Sequence, residues 1–255
     1  MPTQVTFFSA GINTYSLCIG LAALVGGVLA LWQARGSVEA LSRRLTGVLI
    51  IAISTMIAGR AGYVLLHADY FSQHLAEIVS SASPGLWEHA AIIGGCAGWW
   101  IAKRVRQPVT ATTLVITASL VGIGASLGCI PNGCAYGREV FWTDGWVWAL
   151  RADWPDAYTL NNPRLPTQVF MIAWLLVCLL PLMINRLRHV QRPLPLVPVW
   201  VALFACGDFI IQFLRAPSAP VFAGLSGAQC ADVVLFAASM LNLILVKIRL
   251  PILRH

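Results

Sequence analysis

The sequence predicts an all-α polytopic membrane protein: seven transmembrane helices, N-terminus outside, C-terminus cytoplasmic, with a small external head. Three observations predict it. Of the 255 residues, 58% are hydrophobic and 11% charged, and the mean hydropathy of +0.76 lies far from that of a water-soluble domain. Apolar runs long enough to cross a bilayer recur along the chain. The basic residues fall in every second loop, so the net charge of +7 reports membrane orientation and not nucleic-acid binding.

Taken in order, the runs are Tyr15 to Leu31, Thr46 to Leu66, the shorter Leu86 to Ala102, Val109 to Leu127, Thr167 to Ile184, Leu194 to Leu214 and Ala231 to Ile248. Arg35, Arg43 and Arg44 follow the first, and Lys103, Arg104 and Arg106 the third. Arg186, Arg188 and Arg192 follow the fifth, and Lys247, Arg249 and Arg254 the last. The loops between are poor in Lys and Arg, so the positive-inside rule requires seven crossings and makes Leu86 to Ala102 a genuine span. No charged n-region, short apolar core and cleavage site precede the first span, so no removable signal peptide is expected. With no linker, repeat or low-complexity tract, residues 1–255 read as a single membrane domain. Its longest connection, 129–166, forms the external head, with Trp142, Trp146, Trp148, Trp154 and Tyr158 suited to the headgroup layer. The stretch from His67 to His89 reads as a shorter interfacial segment.

Polar groups inside the spans need separate explanations. Five of the 17 Lys and Arg residues, Arg60, Arg138, Arg151, Arg164 and Arg215, lie on the outer side or within the membrane. Arg60 is about 9 Å, at about 1.5 Å per residue, from the outer end of its helix, and a mid-helix Arg costs about 3 kcal/mol unless it faces protein or water. It is either an internal salt bridge or an anion site. Asp208, Gln212 and Arg215, at i, i+4 and i+7, share one helix face that must look inward. Asp208 either pairs with Arg60 or tunes an anion-binding cluster. Gly94 and Gly98 stand in a GxxxG register that fits close helix packing or the wall of a cavity. His89, four residues before Ile93, shares its helix face and is a candidate base, or an interfacial side chain beside Glu88.

The segment from Gly122 to Arg138, GIGASLGCIPNGCAYGR, runs from an apolar helix into a glycine-rich polar loop. Glycine permits close backbone approach and positive φ there, while Asn132, Tyr136 and Arg138 concentrate polar groups beyond the needs of a turn. Of the seven cysteines, Cys18, Cys178 and Cys206 lie in spans and act as small apolar residues. Cys129 and Cys134 face the external side, where an oxidising compartment could pair them. No CxxC or accompanying His pattern supports a metal site.

Several motifs together resemble the bacterial prolipoprotein diacylglyceryl transferase family. Tyr15 matches a Tyr of its first span, and Gly59 to Leu65 its GRxGYVL run. Gly94 and Gly95 match its paired glycines, and Gly128 to Arg138 its signature. Pro166 to Gln168 match a PTQ motif, and Phe213 to Pro217 an FxRxP segment. The order extends from Tyr15 to about Gln229. The resemblance implies transfer of diacylglyceryl from phosphatidylglycerol to a lipobox cysteine thiol of a signal-peptide-bearing preprotein, in the bacterial cytoplasmic membrane, at a site facing the outer leaflet. No cofactor is implied. Such a reaction needs a base for the thiol and fixed positive charge for the leaving phosphate. The resemblance assigns that charge to Arg60, Arg215 and Arg138. Lipid or substrate binding falls to Tyr15, Gly94, Gly95, Ser126, Asn132, Tyr136, Gly137, Gln168, Asp208 and Gln212.

This chain departs from the family pattern at Ile93 (a His there), Ser126 (Arg), Cys129 (Asn), Cys134 (Glu), Phe170 and Met171 (Tyr and Glu), Asp208 (Arg) and Gln212 (Glu). Three readings follow: a lipid-dependent transferase with the family's acceptor or another; a non-catalytic membrane protein that kept the lipid cavity; and a thiol redox role for Cys129 and Cys134.

Overall fold

A computed structural model describes residues 4–7, 10–33, 37–79, 85–106, 109–156, 158, 160–187, 195–216 and 220–252. Arg35, Arg188, Arg192, Leu194, Pro217 and Arg254 lie outside them. A short hairpin of β1 (Gln4–Phe7) and β2 (Ala10–Asn13) comes first. The helices α1 (Thr14–Trp32), α2 (Val38–Leu66), α3 (Ala68–Gln73), α4 (Glu88–Arg104) and α5 (Ala111–Asn132) follow. A 3-10 stretch (Trp142–Leu150), β3 (Ala152–Pro155) and β4 (Asn161–Arg164) form the head. The chain finishes in α6 (Thr167–Val177), α7 (Leu180–Leu187), α8 (Leu196–Gln212) and α9 (Gly227–Ile252). Among the described residues five helical stretches, Thr14–Trp32, Val38–Leu66, Ala111–Asn132, Thr167–Asn185 and Gly227–Lys247, are long and apolar enough to cross a membrane. Helices α4 and α8 have 17 residues each, or about 26 Å at about 1.5 Å per residue, slightly under a hydrocarbon core.

Helix α2 begins eight residues before its predicted apolar run, because Ser37 caps it. The Ser37 hydroxyl accepts from the Ala40 amide at 3.1 Å, and Glu39 pairs with Arg43 at 3.5 Å one turn on. The fifth predicted span is broken into α6 and α7. Pro181 has no amide to offer the carbonyl one turn back, and Cys178 and Leu179 form a turn between the two helices.

Contacts divide the chain into two compact units, residues 27–114 and residues 1–26 with 115–255. In the first, α2 packs on α4 through small residues on both helices. A Cβ at Gly98 would lie 2.9 Å from Ser54 Cβ and 3.0 Å from Ile51 Cα, and one at Gly62 would lie 2.5 Å from Ala90 Cβ. A Cβ at Gly94 would strike the Ser54 carbonyl and lie 2.5 Å from Ala58 Cβ, and one at Gly95 would lie 3.1 Å from Thr55 Oγ1. Close packing therefore accounts for Gly94 and Gly98. Gly98→Leu is expected to destabilise the fold by about 1–3 kcal/mol, the usual cost of overpacking, and to lower the melting midpoint in detergent. Gly20→Ala, with nothing within 4 Å of the new methyl, is expected to leave it unchanged.

In the second unit α5 packs on α1 through Gly124 and Gly128. A Cβ at Gly124 would lie 2.7 Å from the Cys18 carbonyl, and one at Gly128 would lie 2.6 Å from Tyr15 Cα. Asn13 starts α1, its Oδ1 accepting from the Tyr15 amide at 2.8 Å. Helix α8 is the centre of this unit, with Trp200, Phe204, Asp208 and Ile211 buried. The Trp200 indole donates to Ser119 Oγ at 2.9 Å and the Trp174 indole to the Leu203 carbonyl at 2.8 Å, so the buried indole donors are satisfied. Ser226 and Gln229 form a reciprocal capping box at the start of α9.

Candidate functional site

Where α5 ends, the chain turns sharply. Pro131 lies in the last turn, and Asn132 Nδ2 donates back to the Gly128 carbonyl at 2.8 Å. Gly133 then takes φ +63° and Ala135 φ +53°, the left-handed region that glycine enters without steric cost. The Cys134 amide donates to the Cys129 carbonyl at 3.2 Å, and the two sulfurs form a disulfide across the turn. These thiols, the best soft-metal donors of the segment, are thereby consumed.

Past the turn, residues 136–140 run as a ribbon between two other segments. On one side the Ala216 amide donates to the Tyr136 carbonyl at 3.0 Å, and the Arg138 amide to the Leu214 carbonyl at 2.9 Å. On the other the Leu165 amide donates to the Arg138 carbonyl at 3.2 Å, and the Val140 amide to the Pro163 carbonyl at 3.0 Å. Gly137 is required here, since a Cβ would drive into the Leu165 carbonyl. At the start of α6, Thr167 Oγ1 donates to the Ala135 carbonyl at 2.6 Å and Gln168 Nε2 to the Cys134 carbonyl at 2.9 Å. Backbone pairing, with the Thr167 and Gln168 side chains, thus joins the signature loop, the Pro-Thr-Gln segment and the Phe-Leu-Arg segment, which lie tens of residues apart in sequence.

Arg215 is placed by this frame and by α8. Its backbone bridges Gly137, and its Nη2 meets Asp208 Oδ1 at 3.2 Å. Gln212 Nε2 donates to Asp208 Oδ2 at 2.9 Å. Asp208 is 0% exposed and the Arg215 side chain 18%, so the polar stripe pairs along itself. Arg138 is exposed, Ser126 is half-buried on α5, and Tyr15 lies against Gly128.

The sequence left one cluster unread. Arg164 Nη2 reaches Glu139 Oε1 at 2.7 Å and Asp156 Oδ2 at 3.0 Å, its guanidinium lies 4.8 Å from the centroid of the Tyr136 ring, and Asn162 donates to the same Glu139 oxygen at 2.9 Å. The alternating charges from Glu139 to Arg164 were the available signal, but only the β3–β4 hairpin brings them together. The Leu160 amide first, then the Tyr158 amide and the Arg164 charge, hold the Asp156 carboxyl below its ordinary value of 3.8. A depressed carboxylate stabilises the hairpin fully above that value, and the contribution fades as pH falls through the lower, folded value. Protection of the Tyr158 and Leu160 amides from hydrogen exchange, corrected for intrinsic rates, is therefore expected to fall below about pH 3.8. Asp156→Ala should abolish it at every pH.

The unit of residues 27–114 carries the other predicted residues. Arg60 donates Nε to the Ile78 carbonyl at 2.8 Å, Nη1 to the Gly85 carbonyl at 3.2 Å and Nη2 to the Glu77 carbonyl at 2.6 Å. Its guanidinium also lies over the Phe71 and Tyr63 rings, at 5.3 and 5.7 Å. It organises the segment after α2 in this structure. His89 is 1% exposed, with the Trp87 ring 5.4 Å away. Glu88 beside it is exposed.

The profile of the prolipoprotein diacylglyceryl transferase family matches residues 2–245. A phosphatidylglycerol–prolipoprotein diacylglyceryl transferase of Nitrobacter winogradskyi is 29% identical over 240 residues, covering 85% of this chain and 77% of the relative. Its namesake in Synechococcus elongatus is 28% identical over 254 residues, covering 95% and 86%. That of Dehalococcoides mccartyi is 26% identical over 245 residues, covering 94% and 91%. With nearly the whole chain matched, this protein belongs to the prolipoprotein diacylglyceryl transferase family.

Proposed function

We propose that this protein transfers diacylglyceryl from phosphatidylglycerol to a cysteine thiol of a signal-peptide-bearing preprotein. The reaction takes place at the outer face of a bacterial cytoplasmic membrane that the chain crosses seven times, N-terminus outside. The observation that carries the reading is the family match across residues 2–245. The frame that pins Arg215 beside the signature ribbon supports it. The alternation of basic loops supports the orientation, and so does the disulfide at the end of α5, since such bonds persist on the oxidising side of the membrane.

The thiolate sulfur bonds to the glycerol carbon, the carbon–oxygen bond to phosphate breaks, and the electron pair leaves with glycerol phosphate. Arg215 is the fixed cation for that leaving group, because a planar guanidinium donates two hydrogen bonds to phosphate oxygens. Arg138, exposed on the ribbon, is the second. The thiol proton requires a base, and histidine, with an ordinary pKa of about 6.5, suits that role; His89→Gln tests it. Tyr15, Ser126, Asn132, Tyr136 and Gln168 shape the lipid side, with Gln168 holding the turn.

The test supplies purified protein with phosphatidylglycerol vesicles and a lipobox peptide, and reads glycerol phosphate release and the mass of the peptide. Turnover, together with rescue of cells depleted of their own transferase, is the expected result. Absence of both, with phospholipid still co-purifying, would instead establish the non-catalytic lipid-binding reading that Ile93 and Ser126 favour.

A further inference from the structure

We propose that the Cys129–Cys134 disulfide is a redox-controlled positioning element, and that the protein reaches full turnover only after this pair is oxidised. The proposal rests on the reading above and gives the pair a role within it. Cys129 belongs to the last turn of α5 and is 7% exposed. Cys134 opens the ribbon that carries Tyr136, Gly137 and Arg138. Between them the chain reverses through Gly133 at φ +63°, and Ala135 beyond holds φ +53°, a region that side chains disfavour. Within the turn, one backbone hydrogen bond, Cys134 amide to Cys129 carbonyl at 3.2 Å, accompanies the sulfur–sulfur bond.

The outward ties belong to α6, through Thr167 to the Ala135 carbonyl and Gln168 to the Cys134 carbonyl. The disulfide is therefore a second covalent tie, beside the main chain, between α5 and the ribbon. Without it, the left-handed Ala135 retains the pull of α6 and is held to α5 by the main chain and one hydrogen bond. The disturbance reaches the reacting region directly, because Gly137 is the backbone partner of Arg215. Loosening residues 133–137 shifts the guanidinium proposed to meet the phosphate while leaving α5, α6 and α8 in place.

The chemistry is ordinary exchange. A thiolate of an added thiol attacks the more accessible Cys134 sulfur, forming a mixed disulfide, and Cys129 leaves as a thiolate that takes a proton. A second thiol resolves the mixed disulfide, giving two protein thiols and one oxidised thiol pair. A dithiol–disulfide oxidant on the outer side reverses the process.

The experiment compares oxidised protein, protein reduced with dithiothreitol and alkylated, reduced protein reoxidised with oxidised glutathione, and Cys129→Ser/Cys134→Ser. All are reconstituted with phosphatidylglycerol and read by amide hydrogen exchange of residues 130–138 and by transfer to a lipobox peptide. Reduction is expected to speed exchange in that segment at least tenfold and to lower kcat about tenfold, with KM for the lipid changed less than twofold. Reoxidation should restore both, and the double variant should match the reduced protein and ignore dithiothreitol. Exchange unchanged by reduction would overturn the proposal even if no form showed transfer, so its failure is distinct from that of the transferase reading. Rapid exchange with wild-type kcat in the double variant would overturn it too, leaving the bond a passive staple. A matching loss of folded protein in the double variant is checked by its melting midpoint, and the alkylation arm then decides.

Discussion

Arg215→Ala is expected to lower turnover about 10²–10³-fold, the usual loss when one fixed donor to a developing anion is removed. Truncation also takes the Arg215 charge from Asp208, which is 0% exposed and keeps its bond from Gln212, and breaking a buried pair by removing one partner costs about 3–5 kcal/mol. The single variant therefore mixes loss of chemistry with loss of fold. Asp208→Asn/Arg215→Gln separates them: the buried charge disappears with the guanidinium, and Gln212 keeps an acceptor. That variant should melt within a few degrees of wild type and remain as inactive as Arg215→Ala. Arg215→Lys should rescue only a small part, since an ammonium cannot offer two parallel donors to a phosphate. Initial rates with phosphatidylglycerol vesicles, set beside melting midpoints, check all three. Wild-type rates in the double variant would remove Arg215 from the reaction.

Arg60→Ala is expected to act on the fold first. Three of its five N–H groups go to the carbonyls of Ile78, Gly85 and Glu77 at 2.6 to 3.2 Å. Hydrogen bonds to charged groups are worth about 1.5–3 kcal/mol each and do not simply add. A net loss of about 3 kcal/mol is a reasonable expectation, enough to reduce folded protein in the membrane severalfold. Arg60→Lys should rescue little, because one ammonium cannot span acceptors on residues 77, 78 and 85. Protease sensitivity of the segment after α2 measures the effect. If Arg60→Ala left that segment protected and stopped transfer, Arg60 would return to the role of phosphate ligand that its position first suggested.

The helices were legible because lipid imposes a simple rule on sequence: long apolar runs punctuated by basic loops. What escaped was whatever depended on cap or break chemistry. Ser37 extended α2 into a polar stretch that hydropathy could not assign, and Pro181 broke a run that hydropathy saw as continuous. At the candidate site, residue identity and order pointed to the signature loop, but not to its partners. Asp208 looked equally suited to pair with Arg60 or to tune an anion-binding cluster, since helical spacing fixes a face and not a neighbour; in the structure it meets Arg215. Arg164, Glu139 and Asp156, far apart in sequence, meet only once the hairpin and the ribbon are folded. The β1–β2 hairpin gave no signal in a pass for spans, being four residues a side.

The frame around residues 136–140 is built from peptide groups, and peptide groups are the same whatever side chain a residue carries. Natural selection can therefore rewrite the chemistry displayed on that frame without redesigning its scaffold, provided that the crowded position at Gly137 stays bare. Relatives only 26–29% identical over most of the chain can share such a frame while their side chains drift apart. A family organised in this way is a favourable starting point for changing which nucleophile is lipidated.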